Sequence, residues 1–289
     1  MGRKSLKEQA IRSPRLQRGG VPIRSEVNRA ARALEILTAF DARSRYLGNL
    51  EIAQRTGIPR PTVSRITATL VELGYLIHDP QIGKYEIGPR VLALSYSLMA
   101  RLPIHARARP LMEELAQESK TIVGLGILDG LNVVFIDTAM GAEHFSQRAS
   151  MGFRVPVAFT AMGWSCLSAM NPSERAEALR KIKAEYPAKA SEITSQVKRA
   201  IADIWARGFC ISEGALEPGA NAVSVPFLDS DGRQILTFNM TASDSILTRK
   251  AMETQWGPRL VKLAQQLRAN DHPVASRKSL IGRQERHER

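Results

Sequence analysis

The sequence is poor in the residues that build metal centres, disulfide frameworks and hydrolytic active sites. Two cysteines occur in 289 residues, Cys166 and Cys210, and they lack the CxxC spacing of a metal or redox site. The five histidines are scattered, and no nucleophile stands in a triad-like order with them. We therefore predict no metal, no cofactor and no catalytic residue, and we assign both cysteines a structural role.

Long apolar runs are also missing. No uninterrupted apolar segment approaches the ~20 residues that a membrane-spanning helix needs. The basic N-terminus is not followed by the apolar stretch that a secretion signal requires. These absences predict a cytoplasmic protein without a membrane partner.

Basic residues, in contrast, are abundant: 41 Lys and Arg against 28 Asp and Glu give a formal net charge of +13. Such an excess attracts polyanions, but charge alone does not distinguish DNA from RNA or from an acidic membrane surface. Residues 1–24 hold seven Lys or Arg and one Glu, interrupted by Pro and Gly, which predicts a disordered basic arm. This arm either adds phosphate contacts or is a solvated tail. At the other end of the chain, residues 271–289 are predicted to be a polar tail without a fold.

Two short helical patterns around a glycine-containing turn lie within residues 25–88. The first begins at Asn49, which we expect to be its N-cap, and ends at Thr56-Gly57; the second begins near Pro61. An apolar stripe leaves arginine and small polar residues on the other faces of the second helix. This pattern is typical of a helix-turn-helix, whose second helix enters the major groove of DNA. An ordinary helical hairpin with solvated polar residues is the alternative for this stretch alone.

The residues after the second helix predict a β-hairpin, with two alternating strands around the turn 79–83. A hairpin that directly follows a recognition helix is a wing, and Lys84 at its tip is placed to meet the DNA backbone or minor groove. For Arg65 we favour a base contact, with a phosphate contact as the alternative. The predicted DNA-binding residues are Asn49, Arg60, Pro61, Thr62, Ser64, Arg65, Thr69 and Lys84.

The run LEIAQRTGIPRPTVSRITATLVELGYLIHDPQIGKYEIGPRVLALS resembles the DNA-binding domain of the IclR family of regulators along its whole length. The resemblance implies a winged helix-turn-helix over 25–88, a linker helix over 89–102 and a GAF-like sensor domain over 103–270. It also implies a dimer or tetramer that binds a palindromic DNA operator and is associated with the nucleoid when bound. An apolar stripe fits such a linker and its dimer contact: Val91, Leu94, Leu98 and Leu102.

Residues 103–270 mix strand-like and helix-like patterns. Two β-branched runs flank Asp129-Gly130, which is a strong hairpin signal. Further helices are predicted at 105–118, 160–170, 173–183, 192–207 and 247–267, and further strands at 208–212, 221–228 and 234–241. This order predicts an antiparallel sheet flanked by helices, a fold of the α+β class. The segments LDGLNVVFID, GFRVPVAFTAMGWSCLSAM and RGFCISEGALEPGANAVSVPFLDSDGRQILTFNMTAS resemble the family's sensor domain in the same order.

Family sensors hold small metabolites, often carboxylates, so the resemblance implies a small organic acid or aromatic metabolite as effector. A helix N-terminus suits an anion because its free N–H groups point at the ligand. By motif, the expected pocket residues are Thr160, Ala161, Met162, Ser212, Ala222, Asn239 and Thr241. The alternative is that these residues form a polar sheet face or are satisfied core residues.

Several of these positions depart from the family pattern. Ala158 and Trp164 stand where His and Lys are common, Ala222 replaces a frequent Cys, and Asn239 and Thr241 stand where serines are common. The family's usual ligands therefore transfer poorly to this chain. Trp164 either lines an apolar cavity or belongs to the core.

Two other functions fit the sequence less well. An enzyme needs a nucleophile beside a base, which the scattered histidines and cysteines do not provide. An architectural nucleic-acid-binding protein needs no sensor domain. The sequence therefore predicts a ligand-responsive transcriptional regulator, either a repressor or an activator, and not an enzyme.

Overall fold

A computed structural model of the protein describes residues 25–41, 44–141, 150–229, 232 and 234–269. The chain divides into two compact units, with the boundary between Leu102 and Pro103. The predicted basic arm, 1–24, and the predicted polar tail, 271–289, lie outside the described residues.

Among its described residues, the first unit contains three helices, a two-stranded hairpin and a fourth helix. They are α1 (Ser25–Leu37), α2 (Asn49–Thr56), α3 (Arg60–Glu72), β1 (Leu76–Asp79), β2 (Lys84–Ile87) and α4 (Arg90–Met99). Leu47 forms an isolated β-bridge with Tyr85 at the edge of the hairpin. Apolar residues from all of these elements except α4 form one core, including Ile36, Leu47, Ile52, Val63, Leu70 and Leu76. The predicted winged helix-turn-helix is confirmed.

Two local predictions in this unit are wrong. Gly48, not Asn49, is the N-cap of α2, because the Glu51 carboxylate accepts the Gly48 N–H at 2.6 Å and caps the helix start. The helix predicted over 89–102 is shorter, since α4 ends at Met99 and Leu102 lies beyond it. The physical reason is Pro103, which disfavours helical backbone in the residue that precedes it.

The second unit is built around one antiparallel sheet. Its strands are β3 (Ile122–Asp129), β4 (Asn132–Met140), β5 (Arg154–Pro156), β6 (Cys210–Glu213), β7 (Ala220–Leu228) and β8 (Ile235–Ser243), in the order β5-β4-β3-β8-β7-β6. Its helices are α5 (Ile104–Ser119), α6 (Ala161–Ala169), α7 (Pro172–Glu185), α8 (Ala190–Arg207), α9 (Arg249–Ala251) and α10 (Gly257–Ala269). A π-helical turn, Met252–Trp256, joins α9 to α10.

The two faces of this sheet carry different helices. On β8, Thr237 contacts Ser165 of α6, so the Thr237 face is covered by α6. The neighbouring Phe238 packs edge-on against Phe227, whose ring lies under Arg268 of α10. Helix α5 packs on that second face with α10. The predicted α+β class is confirmed. The predicted effector residues of the sheet lie on the face that α6 covers.

The short strand β5 is the element that the sequence did not predict. It has three residues, pairs only with the start of β4, and ends at Pro156. Three residues are too few to display the alternation that identifies a strand. Its consequence is a fixed start for α6, since a 3₁₀ turn, Val157–Phe159, leads directly from β5 to that helix.

Candidate DNA-binding surface and effector site

Helix α3 buries one side and exposes the side that carries the predicted DNA contacts. Val63, Thr67 and Leu70 are buried. Of the six predicted contacts on this helix, only Thr62 is half-buried, and the others are exposed: Arg60, Pro61, Ser64, Arg65 and Thr69. The helix therefore presents small polar and arginine side chains at its start, where a major groove would receive them.

The start of α3 is set by its prolines. Pro59 is the N-cap, and its carbonyl accepts the N–H groups of Thr62 and Val63 at 2.9 and 3.0 Å. Pro61 follows within the first turn, where a missing N–H costs nothing because that group has no intrahelical partner. The Thr69 hydroxyl donates to the Arg65 carbonyl at 3.2 Å, so its hydrogen is directed to its own helix.

Asn49 holds the two helices of the motif together. The buried Thr67 hydroxyl lies 3.2 Å from the Asn49 side-chain oxygen and 3.0 Å from the Val63 carbonyl. Asn49 was predicted as a DNA contact, and the structure places it half-buried between α2 and α3. Its amide thus links α2 to α3.

Lys84 lies at the start of β2, opposite Asp79, and not at the tip of the wing. The tip is the exposed turn 80–83. The Lys84 ammonium is 3.0 Å from Glu51, which also accepts the Gly48 N–H. The Gly48 N–H and the Lys84 charge together lower the pKa of the Glu51 carboxyl. The lysine side chain keeps 38% of its surface exposed, so it remains accessible to a phosphate.

Sequence reasoning missed one cation beside the wing. The Arg45 side chain is 71% exposed, and its guanidinium lies 2.8 Å from Glu86 of β2. The segment around it has no periodicity that would mark it as part of the hairpin. Only the pairing of Leu47 with Tyr85 places Arg45 beside the hairpin.

In the second unit, Thr160 caps the start of α6. Its hydroxyl accepts the Gly163 N–H at 3.0 Å and donates to the Pro156 carbonyl at 2.8 Å. Gly163 touches the backbone of Val157 so closely that a β-carbon there would overlap it. The predicted residues Thr160, Ala161 and Met162 are all buried in this tightly packed start.

The other predicted effector residues lie on the sheet face that α6 covers. Strand register places Thr241 beside Ala222, and Ala222 beside Ser212, in one row across β8, β7 and β6. Asn239 is two residues from Thr241 and lies in the adjacent row, on the same face. The structure therefore brings together four residues that are spread over 30 positions of the sequence, Ser212 to Thr241.

The row that contains Asn239 includes a residue that the sequence analysis missed. Asn239 pairs with Gly124 on one side and with Ser224 on the other, and Ser224 pairs with Cys210. The Ser224 hydroxyl donates to the Asn239 side-chain oxygen at 2.6 Å. Alternation along β7 from Ala222 would have placed Ser224 on this face.

Two glycines of β3 allow large side chains to lie against the sheet. A β-carbon at Gly124 would overlap the Phe135 ring, and one at Gly126 would overlap the Met162 methyl group. Phe135 and Met162 are both buried in the core of this unit. The floor beside Asn239 therefore combines an aromatic ring with small polar groups.

Trp164 belongs to the core. Its side chain is 4% exposed, and its indole N–H donates to the Ala158 carbonyl at 3.1 Å. The two positions that depart from the family's His and Lys thus bind each other. Of the two roles left open by the sequence, the structure gives Trp164 the one in the core.

Both cysteines are buried and free, and the Cys210 thiol lies 3.4 Å from the Ala161 carbonyl. Burial is the largest cause that raises the pKa of each thiol far above its ordinary value. A thiol with a raised pKa is not a nucleophile at neutral pH, which agrees with a structural role for both.

No helix in the described part of the chain combines the length and the apolarity needed to cross a membrane.

Comparison with known proteins covers both units. The family model of the IclR helix-turn-helix domain matches residues 30–80, and that of the bacterial transcriptional regulator IclR C-terminal domain matches residues 96–269. The chain is 29% identical to the HTH-type transcriptional regulator TsaQ1/TsaQ2 of Comamonas testosteroni over 262 residues, which covers 90% of this chain and 93% of that protein.

Solved structures agree with this assignment. An IclR family transcriptional regulator from Brucella abortus has a TM-score of 0.73 at 35% identity, covering 84% of this chain and 92% of that one. An IclR homologue from Microbacterium hydrocarbonoxydans, crystallised with 4-hydroxybenzoate, has a TM-score of 0.66 at 22% identity, covering 83% and 99%, and shows a likeness of fold alone. Because the C-terminal family model alone spans more than half of the sequence, this chain belongs to the IclR family of bacterial transcriptional regulators, with a DNA-binding helix-turn-helix domain and an effector-binding domain.

Proposed function

We propose that this protein binds a palindromic operator as a dimer or tetramer, and that a small organic acid bound between α6 and the sheet changes its affinity for DNA. The observation that carries this proposal is the convergence of Ser212, Ala222, Thr241 and Asn239 on the sheet face beneath α6. The Thr241 hydroxyl donates to the Asn221 carbonyl at 2.9 Å, and the Asn239 side-chain oxygen accepts from Ser224. A small ligand at this place would contact all four residues together.

The DNA-binding part of the proposal assigns different tasks to the predicted residues. Arg65, exposed on α3, reads a base, because an arginine can donate two parallel hydrogen bonds to guanine. Arg60 and Lys84 contact phosphates, and Asn49 orients α3. Pro61, Thr62, Ser64 and Thr69 complete the surface that approaches the groove.

An exposed apolar helix supports self-association. The α4 side chains that are largely exposed include Leu92, Leu94, Tyr96 and Leu98, and exposure of Leu92 and Tyr96 exceeds 70%. Exposed apolar side chains gathered on one short helix favour a protein contact. A second copy of this chain is the partner that a palindromic operator requires, since the symmetry of the DNA matches that of a two-fold dimer.

An aromatic acid suits the proposed effector cavity. Phe135 offers a ring face or edge beside Asn239, and the start of α6 offers free backbone N–H groups to a carboxylate. The Microbacterium homologue crystallised with 4-hydroxybenzoate makes that acid a reasonable first probe.

The test screens 4-hydroxybenzoate and a panel of aromatic and short aliphatic acids for thermal stabilisation of the full-length protein. A ligand at 100 times its Kd stabilises by about 2.7 kcal/mol. Acids that stabilise are then tested for their effect on operator binding, with an operator selected from random duplexes by the protein itself.

The variant Asn239→Leu is expected to lose the effector response while ligand-free operator affinity stays unchanged. Asn132→Leu, on the strand face opposite to Phe135, serves as the matched control and is expected to respond like the wild type. An unchanged response in Asn239→Leu contradicts the assigned cavity.

A further inference from the structure

We propose that Ser224 is a positioning residue that locks the Asn239 amide with its NH₂ group toward the cavity, so that the site selects an effector with an acceptor oxygen. This inference rests on the proposed function and specifies what the site recognises. Ser224 was not among the predicted effector residues, and it acts through Asn239.

Ser224 holds the Asn239 amide through a short hydrogen bond between two buried side chains. Ser224 is completely buried and Asn239 is 3% exposed. The Ser224 hydroxyl and the Asn239 side-chain oxygen are 2.6 Å apart. An amide oxygen can only accept, so the hydroxyl must donate to it. The amide NH₂ is thereby turned away from β7.

If the Asn239 amide were reversed, the hydrogen of the Ser224 hydroxyl would have no acceptor. If the NH₂ group faced Ser224, the hydroxyl would have to accept, and its own hydrogen would need another oxygen. In the part of the chain that the structure describes, the hydroxyl has no second acceptor. Its other neighbour in the row, Cys210, directs its thiol to the Ala161 carbonyl. The buried serine therefore disfavours the reversed amide.

The Asn239 NH₂ group is left without a protein partner. Its neighbour on the β3 side is Gly124, which has no side chain, and no hydrogen bond from the amide nitrogen exists among the described residues. This donor can pair with an acceptor oxygen on a ligand, whereas a donor on the ligand would leave it unpaired.

The start of α6 lies over this row. The contact between Cys210 and the Ala161 carbonyl places it there. Its capping hydroxyl accepts the Gly163 N–H, which leaves the N–H groups of Ala161 and Met162 without an intrahelical acceptor. The helix start and the Asn239 amide therefore both hold donors that a ligand bound between them could use.

The experiment compares two probes of nearly equal shape, 4-hydroxybenzoate and 4-hydroxybenzamidine, by calorimetric titration of the full-length protein. The carboxylate only accepts hydrogen bonds and the amidinium only donates them. We expect the wild type to prefer the benzoate, and Ser224→Ala to reduce this preference by about fivefold, because the amide is then free to rotate. A purely structural role for Ser224 would weaken both probes equally.

Two further variants separate the polarity of the site from its packing. Asn239→Asp, which exchanges donors for acceptors in the same volume, is expected to shift the preference toward the amidine by more than tenfold, an order-of-magnitude figure. Ser165→Ala removes another buried hydroxyl from the same interface, bonded to Thr237, and is expected to leave the preference unchanged.

Equal weakening of both probes by Ser224→Ala, or a wild-type preference for the amidine, overturns the inference. If Ser224→Ala does not fold, the change in probe preference of Asn239→Asp decides whether the inference holds. A wild type whose operator binding responds to an organic acid, with a probe preference that neither Ser224→Ala nor Asn239→Asp changes, overturns this inference and leaves the proposed function intact. A wild type that responds to no small molecule in the panel overturns both.

Discussion

Helices α3 and α6 begin in opposite surroundings. The start of α3 leaves Ser64 and Arg65 exposed, whereas the start of α6 is entirely buried. The Thr160 hydroxyl both donates and accepts within the protein. The difference matches the two proposed partners, since DNA meets a surface from outside, whereas a small ligand would bind between α6 and the sheet.

A substitution that enlarges a residue in the packed start of α6 is expected to cause the largest loss of stability. Gly163→Ala is expected to destabilise the second unit by about 3 kcal/mol, because the new methyl group overlaps the Val157 backbone, which cannot move aside. All three tryptophans, Trp164, Trp205 and Trp256, lie in this unit, so urea denaturation followed by tryptophan fluorescence reports its unfolding.

The matched change at the start of α3 is Ser64→Ala, an exposed position where the effect should stay within about 0.5 kcal/mol. Circular dichroism follows that variant, since the first unit has no tryptophan. Similar losses in the two variants would contradict the contrast between a packed and an open helix start.

A smaller effect is expected when the exposed helix loses its base-reading side chain. Arg65→Ala should weaken operator binding by about 1–3 kcal/mol more than it weakens binding to random duplex DNA. Arg45→Ala removes an exposed guanidinium beside the wing and should weaken both kinds of DNA alike. Fluorescence anisotropy at one fixed salt concentration measures both affinities. Equal losses for Arg65→Ala on the two DNAs would remove its base-reading role.

The smallest expected effect concerns the charge that supports the wing. The Gly48 N–H and then Lys84 lower the pKa of Glu51, so its stabilising effect is present above the ordinary carboxyl pKa of about 4.3 and is lost as the pH falls through the lowered value. Because Glu51 is 42% exposed, its charge contributes less than about 1 kcal/mol.

Hydrogen exchange of α2 amides in Glu51→Gln and in the wild type measures this contribution. Protection should differ at pH 7 and converge as the pH falls through the lowered pKa of Glu51, while Glu72→Gln, an exposed change on α3, should match the wild type throughout. A difference that persists at low pH would mean that the Glu51 charge is not its cause.

Predictions that depend on one helix alone were more accurate than those that depend on neighbours elsewhere in the chain. Exposed α3 residues were predicted correctly in position because an amphipathic helix separates its faces within a dozen residues. Cap and boundary predictions failed at Asn49 and Leu102, where the outcome depended on Glu51 and Pro103. At Ser224, the missing information was the neighbour on β8, 15 residues away in sequence.

The sequence by itself determined the family, the α+β class, the order of the elements other than β5 and the polarity of the α3 surface, because each of these is encoded in short-range patterns. Only the tertiary structure decided which buried polar groups meet. It joined Ser224 to Asn239 and Trp164 to Ala158, and it paired Lys84 with Glu51. Strand register and helix packing bring such partners together over distances that no local pattern records, and a buried hydrogen bond depends on their geometry.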